Sequence, residues 1–222
     1  MEVAGRVHRL NDGIVNFYLV EDGGRLTLVD AGGTRHWDLL LRTLASIGRR
    51  LDDLEAVVLT HAHSDHVGFA ERARTEAEAD VHVHRSDAEA ARTGATGKAE
   101  AGYGRYLLRW EAYRTLLTLS RAGALKIVPV EVVSAYEEGQ TIDVPGRPRV
   151  VHMPGHTEGS CSILLEERRA LVTGDCLVTR NPFTGRVGPQ IMPAGLNEDS
   201  AGALRSLDAI ASARRHALAG PR

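Results

Sequence analysis

Along the first third of the chain, apolar positions come in short dense runs divided by glycine and charge. Residues 14–20 and 25–30 read as strands. Between them Glu21-Asp22-Gly23-Gly24 is hairpin chemistry, because Asp-Gly and Gly-Gly tolerate positive φ. The period then lengthens. Over residues 37–47, Leu40, Leu41, Leu44 and Ile47 fall on one side at helical spacing, with Gly48 as a stop. A strand at 56–59, an Ala- and Glu-rich helix at 67–79 and a short strand at 81–84 follow.

The middle of the chain changes character. Tyr106, Trp110, Tyr113 and Leu117 recur at steps of four, three and four, which makes an aromatic and aliphatic stripe on a helix over 105–121. Such stripes usually pack, so a core role is expected ahead of a substrate-facing roof. Strands return at 131–133, 149–153, 162–166 and 170–173, followed by a Pro- and Gly-rich loop at 181–193. A last helix over 198–213 carries Leu204, Leu207 and Ile210. Alternating strands and helices on this scale predict an α/β protein, and 222 residues without an internal repeat suit one domain over 1–222.

Composition narrows the function more than the fold. With 27 Lys+Arg against 29 Asp+Glu, the net charge of −2 lacks the basic surplus of a general nucleic-acid binder. Cys161 and Cys176 could form one bridge at most, which is no disulfide framework. No signal-type segment opens the sequence and no apolar run reaches the ~18–20 residues of a membrane span. The expectation is a cytoplasmic protein with a small-molecule substrate, no nucleic-acid or membrane partner, and a possible homodimer face on the aromatic helix or an open sheet edge.

The candidate chemistry is concentrated at Thr60-His61-Ala62-His63-Ser64-Asp65-His66, directly after the apolar run at 56–59. Imidazole and carboxylate are natural ligands of zinc and comparable metals, and four of them within six residues suit two ions better than one. A polar loop capping the next helix, with Asp65 at its start, is the blander alternative. Two more strand ends each offer one ligand: His156 in Pro154-Gly155-His156-Thr157-Glu158-Gly159-Ser160, and Asp175 in Thr173-Gly174-Asp175. Cys176 adjoins Asp175, but neighbouring strand residues point opposite ways, so one of the two faces a metal. His82 and His84 repeat the His-x-His spacing inside a short strand with no carboxylate cluster, as expected of one sheet face.

Together these residues resemble the metallo-β-lactamase superfamily, in its glyoxalase II-like and lactonase-like branch. Its hallmarks are a His-x-His-x-Asp-His loop, a Gly-His-Thr loop and a Gly-Asp strand end. Leu28-Val29-Asp30-Ala31-Gly32-Gly33 looks like the family's early strand and turn. The resemblance implies an α/β four-layer αββα sandwich, here shortened at the C-terminal end. It assigns His61, His63 and His156 to one metal and Asp65 and His66 to a second, with Asp175 bridging. The implied cofactors are two Zn, or one Zn or Fe if the second site is incomplete. The family's later Gly-His loop has no counterpart, since His216 precedes the final apolar stretch instead of following it.

The activity so implied is metal-dependent hydrolysis of a small ester, thioester or lactone by a hydroxide generated between the cations. Asp65 would orient that nucleophile or pass on its proton, and Asp30 would either fix a ligand histidine or be an ordinary turn carboxylate. A mononuclear iron enzyme of the persulfide dioxygenase type and an inactive member with an incomplete second site fit the same residues. Specificity would be set by residues 103–119 and the loop at 181–193.

Overall fold

A computed structural model describes residues 1–219 apart from 103 and 107, and the side chains of residues 1–210 apart from 103, 105 and 107. The side chains of Tyr103 and His216 therefore lie outside the described residues. A seven-stranded sheet runs in chain order through β1 (Glu2–Ala4), β2 (Val7–Asn11), β3 (Asn16–Asp22), β4 (Arg25–Val29), β5 (Leu54–Val58), β6 (Asp80–His84) and β7 (Ser134–Tyr136). The first four strands are antiparallel. Asp22 pairs with Arg25 across a two-residue loop in which Gly23 (φ 54°) and Gly24 (φ 89°) are both left-handed, as the twist-matched hairpin turn requires.

From β4 to β7 the pairing is parallel, so each connection crosses over through helix. These are α1 (Trp37–Ser46), then α2 (Ser64–Val67) with α3 (Ala70–Glu76), then α4 (Ala88–Thr93) with α5 (Trp110–Ala122). A second, antiparallel sheet contains β8 (Arg149–His152), β9 (Cys161–Leu165) and β10 (Ala170–Val172), with β9 central. β11 (Val178–Arg180) and β12 (Val187–Gln190) form a separate hairpin, and α6 (Ser200–Ala219) follows.

Two cores account for the layers. Side chains alternate across a strand, so Phe17, Leu19, Leu26 and Leu28 face Trp37, Leu40, Leu44, Phe69 and Ala73 on the helical side. Their neighbours Val20, Val29 and Val58 face Ile163, Leu165 and Val172 of the second sheet. Burial on both faces explains why these strands read as near-continuous apolar runs. Beyond the second sheet, α6 packs near β8, where Ser206 Oγ donates to Pro154 O at 2.7 Å. The order helix, sheet, sheet, helix is the expected four-layer α/β sandwich.

Several local expectations change. Leu41 is exposed, because the buried stripe of α1 is Trp37, Leu40 and Leu44. The seventh strand forms at Ser134–Tyr136 instead of 131–133, and part of the loop at 181–193 is strand β12. The stripe on α5 is not core: Trp110 and Tyr113 are exposed, and the face packed inward carries Ala112 and Ala122.

Tyr136 ties the cross-sheet core to the end of β5, where its Oη donates to Leu59 O at 2.5 Å. Tyr136→Phe leaves that buried carbonyl short of a donor and is expected to destabilise the fold by about 1–3 kcal/mol. Urea unfolding of the variant beside the parent protein measures this.

Candidate metal centre

Every candidate ligand sits just past the end of a strand on one edge of the sandwich. β4 leads into Asp30, β5 into residues 60–66, β8 into residues 154–160 and β10 into residues 173–176. The edges of the two sheets are stitched there by Cys161 N donating to Thr60 O at 2.9 Å. Gly174 adopts φ 52°, and a Cβ on it would stand 2.7 Å from Thr60 Oγ1. Only glycine lets this turn lie close enough to deliver Asp175.

Three ring nitrogens converge. His61 Nε2 and His63 Nδ1 are 3.1 Å apart, His63 Nδ1 and His156 Nε2 2.9 Å, and His156 Nε2 and His61 Nε2 3.2 Å. The edge of a tetrahedron with zinc–nitrogen bonds of 2.0–2.1 Å is about 3.3 Å, so the triangle matches one face of a tetrahedral site. The outer nitrogens show which atoms are free to ligate. Thr60 Oγ1 donates to Asp30, so it accepts from His61 Nδ1–H at 3.1 Å. Asn197 Oδ1 accepts from His156 Nδ1–H at 3.2 Å. Both rings then turn an unprotonated Nε2 inward.

Asp175 spans two groups, with Oδ2 3.5 Å from His156 Nε2 and Oδ1 3.6 Å from His66 Nε2. His61, His66 and Asp175 form a second convergent set beside His61, His63 and His156. His66 Nδ1 bonds to Asp30 Oδ2 at 2.8 Å, which again leaves Nε2 toward the centre when the ring is neutral. Asp65 stands further off, its Oδ2 3.8 Å from His66 Nε2, and belongs to neither convergent set.

Electrostatics follow from this crowding. Burial, reinforced by His66, His156 and His63, holds His61 well below the usual imidazole range. Burial and His156 hold His63 down to about 3. These rings stay neutral, the form in which imidazole ligates. His66 goes the other way: burial would lower it, but Asp30, Asp65 and Asp175 outweigh that and raise it. Burial raises Asp65, whereas His66 and His156 hold Asp175 down against the same burial.

Behind the ligands stands a set of buried supports. Asp30, itself at φ 63°, accepts from Thr60 N at 2.7 Å as well as from Thr60 Oγ1 and His66, so one carboxylate orients two ligand rings. The turn-carboxylate alternative for Asp30 is therefore set aside. Asp87 links two metal loops by accepting from Ala62 N at 2.9 Å, Thr157 Oγ1 at 2.9 Å and Gly159 N at 2.8 Å. Asp87 and Asn197 carry no sequence signal, since neither lies in a ligand-spaced cluster. Cys176 Sγ faces Met153 O at 3.6 Å, and burial pushes its thiol up, so Asp175 is the residue that faces the centre.

His84 stacks on His152 at 4.2 Å instead of joining the centre, and His82 Nε2 is buried without a hydrogen-bond partner among the described residues. His82→Ala is expected to leave metal content within experimental error of the parent, as read by elemental analysis.

The chain is similar to several known proteins. The chain is 25% identical over 181 residues to "Probable metallo-hydrolase YflN" of Bacillus subtilis (strain 168), a match covering 80% of this chain and 66% of that one. It is 29% identical over 162 residues to "Atrochrysone carboxyl ACP thioesterase dmxR1" of Cryptosporiopsis sp. (strain 8999), covering 72% and 37%. The chain thus spans less than two thirds of the length of either relative. The fold is shared with a metallo-beta-lactamase family protein of Thermus thermophilus at a TM-score of 0.64 and 24% identity, over 96% of this chain and 76% of that one. A model of the metallo-beta-lactamase superfamily matches residues 10–219, and the chain belongs to that superfamily.

Proposed function

We propose that this protein is a metal-dependent hydrolase of a small ester or thioester, with lactones as the cyclic variant of the same chemistry. The observation that carries the reading is the triangle of ring nitrogens at 2.9–3.2 Å, two of them with their other nitrogen engaged outward. The two unprotonated Nε2 atoms of His61 and His156, 3.2 Å apart beside His63 Nδ1, repel unless a positive group lies among them. His61, His63 and His156 would hold one ion, and Asp175 with His66 a second, with Asp65 beside it. When bound, such cations supply Lewis acidity that lowers the pKa of a coordinated water from ~15.7 toward ~7.

The chain's own groups do the positioning. Asp175, reaching toward both His156 and His66, fixes the separation of the two ligand groups. Asp65, about a quarter exposed and next to His66, is placed to orient an incoming water or accept its proton. Asp30 and Asn197 keep ring nitrogens aimed inward, so little reorganisation accompanies reaction. The thioester option is supported by the fungal relative, which is named a thioesterase.

A mononuclear centre is the second reading. Among the described residues, the second convergent set shares His61 with the first and adds only His66 and Asp175. A panel of p-nitrophenyl esters, acyl thioesters and lactones, assayed before and after chelation, tests the proposal. Turnover that disappears with chelator and returns with Zn2+ is expected. Activity indifferent to chelator, or oxygen consumption requiring iron, overturns hydrolysis by this centre.

A further inference from the structure

A second feature lies outside the metal centre. α5 packs inward through Ala112 and Ala122, and Thr115 Oγ1 donates to Pro182 O at 2.7 Å. Its other side is exposed: Trp110 is 68% exposed, Tyr113 54% and Leu116 48%, with Leu108 just before the helix at 96%. The rings of Trp110 and Tyr113 stack at 5.6 Å and 29°, which gives the stripe a flat aromatic surface. At 3.6 residues per turn, positions 110, 113, 116 and 117 share one side of the helix.

Positive charge gathers along the same stretch of chain. From residue 112 to 130 the sequence contains Arg114, Arg121 and Lys126 and no Asp or Glu, in a chain of net charge −2. Glu111, at the start of the helix, is engaged by Arg180 at 2.7 Å and Arg114 at 3.2 Å. Two cavities, of about 330 and 250 Å³, are lined elsewhere by Glu158 and Glu198, and no α5 residue lines either.

We propose that α5 docks on an anionic lipid surface, with Trp110, Tyr113 and Leu116 at the boundary between headgroups and acyl chains, and with Arg121 and, just past the helix, Lys126 against headgroup phosphates. Aromatic residues with a polar edge suit that boundary, and flanking cations gain from its negative potential. A second copy of the chain is the poorer occupant, since two such faces would bring like charges together. No helix among the described residues is long and apolar enough to cross a membrane, and surface docking needs none. The sequence-based expectation of no membrane partner weighed spanning segments only. The C-terminal end of α5 abuts the metal loop, where Ser64 Oγ donates to Ala124 O at 2.6 Å, so docking would hold the centre near the lipid surface.

The test is flotation with vesicles of phosphatidylglycerol and phosphatidylcholine, about 1:1, against phosphatidylcholine alone, with tryptophan emission recorded. The chain has two tryptophans and Trp37 is buried, so a blue shift reports Trp110. Binding about tenfold or more tighter on the anionic vesicles is expected, lost in ~0.5 M salt and in the Arg121→Glu/Lys126→Glu variant. Trp110→Ser/Tyr113→Ser should weaken binding and abolish the shift. All four positions are on the outer side of the α5 region, and unchanged circular dichroism would confirm folding. Absence of flotation, equal binding to both vesicle types, or a dimer in sedimentation that Trp110→Ser converts to monomer would each overturn the proposal.

Discussion

Replacing Asp175 with alanine is expected to lower metal content and turnover together, beyond the ~10–100-fold that loss of an outer support typically costs. The reason is position. Its two carboxylate oxygens stand 3.5 Å from His156 Nε2 and 3.6 Å from His66 Nε2, so in the proposed centre a single deletion would remove the carboxylate that reaches both groups. It also removes one of three carboxylates around His66. The fold should survive, because the side chain is partly exposed at the strand edge and leaves no large cavity. Elemental analysis and ester turnover, measured on protein with an unchanged melting profile, check this. Full metal occupancy in the variant would contradict the bridging assignment.

The second large effect is expected at Asp30, which touches no substrate in this account. Its carboxylate accepts from His66 Nδ1 at 2.8 Å and, through Thr60, controls His61. In Asp30→Asn, an amide N–H placed toward Nδ1 would favour the tautomer with its proton on Nε2, which cannot ligate. Metal affinity or activity should fall about 10–100-fold with the fold retained, since asparagine tolerates the left-handed backbone at φ 63°. Asp30→Ala should do more. It abandons the buried Thr60 N and Thr60 Oγ1 donors as well, at about 1–3 kcal/mol for each unsatisfied group. Zinc titration with a chromophoric competitor separates the variants. Parent-like affinity in Asp30→Asn would show that the tautomer is set by something else.

Much of this was legible because each candidate ligand sits in a short motif of its own. The run from His61 to His66, His156 and Asp175 each follow an apolar stretch, and a strand end is where a sandwich presents side chains at its edge. The supports were legible only where they sat in a motif. Asp30 lies in the turn at 30–33, while Asp87 and Asn197 reach the centre through folding alone, from 25 and 41 residues away along the chain.

Elsewhere, periodicity shows which face of a helix is apolar without showing what covers it. That is why Trp110 and Tyr113 read as core and stand in solvent. β12 contains Gly188 and Pro189, which argue against a central strand, yet a two-stranded hairpin tolerates them at its edge. Tyr136, missed as a strand residue, completes the cross-sheet core from three positions beyond the expected strand.

The proposed dependence of hydrolysis on metal held by His61, His63, His156 and Asp175 is central. Its most direct test is plasma mass spectrometry of the protein after zinc equilibration and gel filtration, with turnover measured on the same fractions. One or two tightly held ions per chain, with activity rising in proportion to occupancy, is the predicted result. A chain that emerges without metal, or whose turnover is independent of the metal it carries, would contradict it.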